Sequence, residues 1–146
     1  MMLNRAFAAF VLVLSIGCSH PSLQELADDH AKQTGLQYAN CGTVQVAQKQ
    51  PCDETTVDDC LLAALSTCAP SRAALSQSTI EGAPIPSEVF IEPEGASCVV
   101  TEIVDTTRDN FGPKTVKRYR CDGFVAIQCF TAVPTGCVLA ETYYTK

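Results

Sequence analysis

Residues 98–107, Cys98-Val99-Val100-Thr101-Glu102-Ile103-Val104-Asp105-Thr106-Thr107, are rich in β-branched side chains, which favour an extended strand. The turn-forming residues Asn110-Phe111-Gly112-Pro113 end this strand, and a second one is predicted at Thr115–Cys121. Asp122-Gly123 then predicts a tight hairpin to Phe124–Val133, because this dipeptide suits the type I′ turn. Strands joined by short turns in this way predict an antiparallel meander.

Further strands are predicted on both sides of this region. Downstream, the turn residues Pro134-Thr135-Gly136 precede a last candidate at Cys137–Tyr144. Upstream, the short candidates are Val44–Ala47, Ala74–Glu81 and Glu88–Glu92. Most of the predicted strands therefore lie in the second half of the chain.

The first predicted helix begins at Ser22-Leu23-Gln24-Glu25. This is a capping box, in which the serine hydroxyl and the glutamate carboxylate each bind a free backbone N–H group. A stripe at helical spacing follows, formed by Leu23, Leu26, Ala27, His30 and Ala31. Gly35 is the expected stop.

The second predicted helix begins at Thr55 or Thr56 and ends before Pro70. Its apolar face is formed by Val57, Leu61, Ala64, Leu65 and Cys68. Helices followed by neighbouring strands predict an α+β fold, with one or two N-terminal helices packed on an antiparallel β-meander.

Composition narrows the functional classes. The chain has 146 residues and a net charge of −6, so nucleic acid is not an expected partner, because its binding depends on basic residues that neutralise phosphates. The chain has no tryptophan, and a core without large aromatic side chains gains from cross-links. Nine cysteines are available to form them.

The N-terminus has the layout of an export signal. Arg5 precedes an uncharged apolar run from Ala6 to Gly17, which is too short to span a bilayer. The run ends in Leu14-Ser15-Ile16-Gly17-Cys18, which resembles the lipobox of bacterial lipoproteins. The resemblance implies that the signal is cut before Cys18 and that its sulfur carries a diacylglycerol.

This resemblance divides the chain into a signal peptide (1–17), a lipidated cysteine with a short tether (18–21) and one cysteine-rich domain (22–146). Ser19 is not the aspartate associated with inner-membrane retention, so the resemblance implies a lipid anchor in the bacterial outer membrane. Ser15 and Gly17 also suit an ordinary secretory signal, which would make the protein secreted or periplasmic.

Lipidation of Cys18 leaves an even number of cysteines, which are interpreted as four disulfides in an oxidising compartment. They are Cys41, Cys52, Cys60, Cys68, Cys98, Cys121, Cys129 and Cys137. Cys60 and Cys68 are about 12 Å apart along one helix, beyond the 7 Å or so that a disulfide allows. The predicted hairpin also argues against Cys121–Cys129. The helix cysteines are therefore expected to reach the sheet or the segment from Cys41 to Cys52.

A second resemblance covers about 40 residues. Cys60-Leu61-Leu62-Ala63-Ala64-Leu65-Ser66-Thr67-Cys68-Ala69-Pro70, followed by strands and Ser97-Cys98-Val99-Val100, resembles small uncharacterised cysteine-rich exported bacterial proteins. The resemblance implies a sheet wrapped around a helix and brings no known activity.

Catalytic and metal-binding motifs are absent from the sequence. It has no Gly-x-Ser-x-Gly elbow, Cys-x-x-Cys pair or glycine-rich phosphate loop, and its histidines are His20 and His30. We therefore expect no enzyme activity, no catalytic residue, no metal site and no cofactor.

Four basic residues cluster on one predicted strand: Lys114, Lys117, Arg118 and Arg120. They are interpreted either as charges that protect an edge strand from aggregation or as a docking patch for an anionic partner. Arg118 and Arg120 would share a face with Val116, and Lys117 would point the other way.

The sequence thus favours a membrane-anchored envelope lipoprotein that acts as a binding or interaction module. The expected partners are the membrane, through the lipid anchor, and an envelope protein or anionic ligand. Alternatives are a structural or assembly subunit of an envelope complex and a small envelope hydrolase or protease inhibitor.

Overall fold

The computed structural model describes residues 20–46, 56–78, 82–125 and 133–145. The predicted export signal, Cys18, Cys52 and Cys129 lie outside these ranges. Within them, two helices and a mostly antiparallel sheet confirm the α+β class. No described helix combines the length and the apolar character needed to cross a bilayer.

The helices are α1 (Leu23–Thr34) and α2 (Thr56–Thr67). The predicted capping box starts α1, since Ser22 accepts a hydrogen bond from the Glu25 backbone and the Glu25 carboxylate accepts one from the Ser22 N–H. Gly35 ends α1 with a φ of 68°, the left-handed conformation that glycine adopts without strain.

The described strands form one large sheet and one small sheet. The strands are β1 (Ala39–Val46), β2 (Ser71–Ser78), β3 (Pro84–Glu94), β4 (Ser97–Asp105), β5 (Thr115–Cys121), β6 (Gly123–Val125), β7 (Val133–Thr135) and β8 (Val138–Thr145). The large sheet has the order β1-β2-β3-β4-β5-β8, and β6 pairs with β7. Strands β2 to β5 form an antiparallel meander, whereas β1 runs parallel to β2 after the crossover that contains α2.

The predicted hairpin at Asp122-Gly123 is wrong. Strand β5 pairs with β4 on one side and β8 on the other, and β6 turns away to pair with β7. The interpretation of β5 as an edge strand is wrong for the same reason. The Asp-Gly motif determines only a local change in chain direction. Strand β5 pairs instead with β8, which has eight residues, whereas β6 has three.

Two apolar clusters lie on opposite faces of the sheet. Val89 and Ile91 pack in the cluster that contains the buried face of α2, whereas Phe90, between them, packs in the cluster that contains α1. Successive side chains of a strand point to opposite faces, so each helix covers its own face.

Three disulfides are present among the described residues: Cys41–Cys60, Cys68–Cys98 and Cys121–Cys137. The first two join the ends of α2 to β1 and β4, which confirms that the helix cysteines bond to the sheet and not to each other. The third leaves Cys121 unable to bond with Cys129, also as predicted. Disulfides therefore fasten α2 to its face of the sheet, whereas no disulfide among the described residues reaches α1.

Candidate functional site

A buried polar cluster connects α1 to the sheet. It consists of His30, Tyr38, Glu92, Thr101 and Arg118, and we call it the His30–Glu92 cluster. Residue 30 reaches it because it lies on the inner stripe of α1, and residues 92, 101 and 118 reach it because they share the α1 face of β3, β4 and β5.

Glu92 is the centre of this cluster. One carboxylate oxygen accepts hydrogen bonds from His30 Nε2, at 2.8 Å, and from the hydroxyl of Tyr38. The other accepts from Thr101 Oγ1 at 2.7 Å. Burial acts to raise the pKa of Glu92, but the donors from His30, Tyr38 and Thr101 together hold it below its ordinary value. Glu92 is therefore a buried carboxylate kept ionised by three donors.

The contacts define the hydrogen positions on His30. Its Nδ1 lies 3.4 Å from Arg118 Nη1, and a guanidinium can only donate, so Nδ1 accepts and Nε2 carries the hydrogen given to Glu92. The residue is only 6% exposed and both ring nitrogens are engaged. Neither nitrogen is presented to a substrate, and the cluster holds α1 against the sheet.

The Phe90 ring packs against two members of the cluster. The rings of His30 and Tyr38 both meet Phe90 edge-on, with centroid distances of 4.8 and 5.2 Å. Burial, followed by the neighbouring Glu92 carboxylate, raises the pKa of Tyr38 well above its ordinary value. Tyr38 therefore remains a neutral hydrogen-bond donor across the physiological range.

Arg72 makes a second polar connection between α1 and the sheet. Its guanidinium lies 3.0 Å from Asp28 on α1 and 3.8 Å from Glu88 on β3, and stands 5.8 Å from the centre of the Phe90 ring. Hydrogen bonding to Arg72 lowers the pKa of Asp28, whereas burial raises the pKa of Glu88. The positive charge of Arg72 thus offsets the desolvation cost of placing two carboxylates close to an apolar cluster.

An open groove of about 460 Å³ lies beside these residues, at the C-terminal end of α1. Its charged lining side chains are Lys32 and Arg72. Lys32 is paired with Asp29 at 3.2 Å, and Arg72 is held by its two carboxylates. The groove therefore presents no uncommitted charge that would select a ligand.

The predicted basic residues are spread over two faces of β5. Arg118 Nη2 lies 3.1 Å from Glu141 on β8, and Arg120 is paired with Glu94 on β3. Arg118 and Arg120 share the α1 face, as the alternation predicted. An anionic partner would have to displace a carboxylate from each arginine.

The two lysines lie apart from these arginines. Lys114 precedes β5 and donates to the backbone carbonyls of Thr107, at 3.4 Å, and Asp109, at 3.1 Å. Lys117 lies on the α2 face of β5. The four basic residues therefore do not converge on one surface.

One group of potential metal ligands occurs among the described residues, namely Glu102, Cys121 and Cys137. Both sulfurs are consumed by the disulfide between these cysteines, so neither is the thiolate that a metal site requires. Burial raises the pKa of Glu102, which further disfavours its ionised form as a ligand. These residues do not fit a metal ion.

The three most exposed large apolar residues of the described chain lie in two places, in the loop before β5 and at the start of β8. Phe111, in the loop before β5, is 78% exposed, and Val138 and Leu139, at the start of β8, are 65% and 53% exposed. Contiguous exposed apolar area is typical of contact surfaces, and Val138 and Leu139 are adjacent in the chain.

Sequence reasoning did not identify Glu92 and Arg118 as partners of His30, nor Tyr38 and Thr101 as further donors to Glu92. The available signal was His30 itself, since a histidine on the apolar stripe of a helix needs a buried hydrogen-bond partner. Which strand supplies that partner depends on tertiary packing. No protein-family model, curated protein or solved structure matches the chain, so its function is inferred from its own residues.

Proposed function

We propose that this protein is a lipoprotein of the bacterial envelope, anchored in the outer membrane through Cys18, that acts as an interaction module. The lipobox-like sequence Leu14-Ser15-Ile16-Gly17-Cys18 supports the anchor. The ring of His20 stacks on Tyr144 of the domain, and His20 follows Cys18 by two residues, so this contact is at most about 7 Å from the anchor. The two helices packed on the sheet form the rigid body that the anchor holds at the membrane.

The exposed start of β8 carries the interaction role. Within the described residues β8 is the last strand of the large sheet, so one of its backbone edges has no strand partner there. Val138 and Leu139 are more than half exposed at that edge, although they point to opposite faces. An exposed apolar edge is a template for an additional strand.

The register of β8 limits the partner to a short segment. Its pairing with β5 shifts between Leu139 and Glu141 and again between Thr142 and Tyr144. Such bulges twist an edge and interrupt continuous pairing. The partner in this proposal is therefore a short extended segment of an envelope protein that meets Val138 and Leu139 with apolar side chains.

The proposal includes no catalytic role, cofactor, metal or nucleic acid. His30, the one described histidine in a buried polar cluster, uses both ring nitrogens within the domain. The acidic net charge of −6 disfavours phosphate-rich partners.

Site-specific photo-crosslinking in the intact host tests the interaction role. A photoreactive residue at Leu139 should cross-link to one envelope polypeptide, and Val138→Lys in the same protein should abolish the product. Leu62, a 37% exposed residue on α2, is the matched control position and should give no such product. Equal products at both positions, or a product that survives Val138→Lys, would contradict the proposal.

A further inference from the structure

The loop between β4 and β5 presents an aromatic side chain to solvent. Phe111 is 78% exposed, more than any other large apolar residue among those the structure describes. The loop is held by its own hydrogen bonds, because the Phe111 N–H donates to Asp109 at 3.0 Å and the Thr106 hydroxyl donates to the Pro113 carbonyl at 2.6 Å. Its shape therefore keeps the ring directed away from the apolar core.

This loop lies at the same end of the sheet as the predicted lipid anchor. It leaves β4 after Asp105, which pairs with Val116, and Val116 pairs with Tyr144 on β8. The Tyr144 hydroxyl donates to the Pro21 carbonyl at 3.1 Å, and the ring of His20 stacks on Tyr144 at 4.4 Å. The chain therefore enters the domain beside the base of the loop.

Cys18 precedes His20 by two residues, which span at most about 7 Å. A lipid on Cys18 would hold this end of the sheet at the bilayer surface, where the loop also protrudes. The start of β8, with Val138, lies at the other end, because Val138 pairs with Arg120 near the end of β5.

The charges around Phe111 suit a phospholipid surface. Arg108 and Lys114 are exposed on either side of it, and the one acidic residue between them, Asp109, has a carboxylate oxygen occupied by the Phe111 N–H. Basic residues near an aromatic side chain are typical of segments that rest in the headgroup region. The diacylglyceryl group proposed for Cys18 supplies two acyl chains for anchoring, so a second contact at Phe111 adds a fixed orientation to that anchor.

We propose that Phe111 inserts into the bilayer surface beside the lipid anchor, with Arg108 and Lys114 contacting lipid phosphates. This inference rests on the proposed lipidation of Cys18. It gives the anchored domain a fixed orientation, with the anchored end at the membrane and the exposed start of β8 facing away from it.

The absence of tryptophan from the chain allows a single-reporter test. The full-length protein is produced as Phe111→Trp, purified with its native modification and reconstituted into vesicles of phosphatidylethanolamine and phosphatidylglycerol. Part of the lipid is brominated near the headgroup end of its acyl chains. The indole should emit at shorter wavelength than in detergent-free buffer and be strongly quenched by the brominated lipid. Val138→Trp is the control, because Val138 is also well exposed, at 65%, but lies at the other end of the sheet, and it should be quenched several times less.

The outcomes separate the inference from the anchor. If intact mass shows acylated Cys18 but Phe111→Trp is quenched no more than Val138→Trp, the anchor stands and the insertion of Phe111 is refuted. If Cys18 is unacylated and the protein stays in the supernatant, both the lipid anchor and the insertion of Phe111 are refuted. Adding Arg108→Gln to Phe111→Trp should reduce quenching, and unchanged quenching would refute the phosphate contact of Arg108.

Discussion

Glu92→Gln is the substitution that most sharply tests how α1 is held on the sheet. Glutamine has the same shape as glutamate and can still accept from His30 and Tyr38 through its carbonyl, while its amide group can donate to the Thr101 hydroxyl. The substitution therefore removes the charge at the centre of the His30–Glu92 cluster without opening a cavity.

The magnitude follows from the three hydrogen bonds. A hydrogen bond to a charged group contributes about 1.5–3 kcal/mol, compared with about 0.5–1.5 kcal/mol between neutral partners. Each hydrogen bond to a neutral glutamine is therefore weaker by roughly 1 kcal/mol. Part of this loss of stability is offset, because a neutral side chain has a smaller desolvation penalty on burial than a carboxylate. We expect Glu92→Gln to lower the free energy of unfolding by about 1–2 kcal/mol and Glu92→Ala by about 3–5 kcal/mol.

The pH dependence gives an independent measure of the same charge. The folded-state pKa of Glu92 is lower than its ordinary value of 4.5, so its contribution to stability is present above that value and is lost as the pH falls through the folded pKa. The stability difference between the native protein and Glu92→Gln should therefore be largest near neutral pH and should shrink on acidification below about 4.5.

The assay is urea unfolding of the oxidised proteins, followed by circular dichroism, at about pH 7 and about pH 3. Glu94→Gln is the matched control, because Glu94 lies on the same face two residues along β3 and forms an exposed ion pair with Arg120. It should change stability little. If Glu92→Gln costs no more than Glu94→Gln, or if its effect is the same at both pH values, the cluster does not hold α1 as described.

Three further predictions concern the helices and cross-links. Ser22→Ala should lower stability by about 1 kcal/mol by removing the cap of α1, and unchanged urea unfolding would contradict this. Replacing Cys68 and Cys98 together by serine opens a link across 30 residues and should cost about 3–4 kcal/mol in the same assay, so an equally stable variant would show that this disulfide does not fasten α2 to β4. The prediction of four disulfides assigns the remaining cysteines, Cys52 and Cys129, to each other, and peptide mapping without reduction should recover that pair, whereas free thiols at both positions would refute it.

Local signals in the sequence predicted the bounds of α1 and β5, whereas the predicted bounds of β1, β2 and β3 are off by several residues. The capping box at Ser22 and the stop at Gly35 bracket α1 as expected, and the predicted strand Thr115–Cys121 matches β5. These features depend on neighbouring residues, through backbone donors at a helix start, positive φ at a helix end and β-branched side chains in a strand.

The strand pairing could not be predicted in the same way. Asp122-Gly123 correctly marks a change of direction, but the partner of β5 is β8, whose start lies 15 residues further on. The parallel pairing of β1 with β2 likewise depends on the crossover through α2. Such contacts join residues that are far apart in the chain, and local turn chemistry does not contain that information.

The polar cluster was missed for a related reason. His30 was assigned to the apolar stripe of α1 and Glu92 to the end of a predicted strand, but the two are 62 residues apart and meet only because α1 covers that face of β3. Arg118 and Arg120 lie on β5 as predicted, whereas their partners, Glu141 and Glu94, come from other strands. The sequence therefore shows which polar and charged residues are present, whereas which of them pair with each other depends on the fold.

The intact, non-reduced mass of the protein extracted from its host's membranes is the decisive measurement for the lipid anchor and the disulfides. We expect a chain that begins at Cys18, is heavier by a diacylglyceryl group, with or without a further acyl chain, and is lighter by two hydrogens for each of four disulfides. A soluble, unacylated chain would contradict the anchor and leave Cys18 as a thiol without an assigned role.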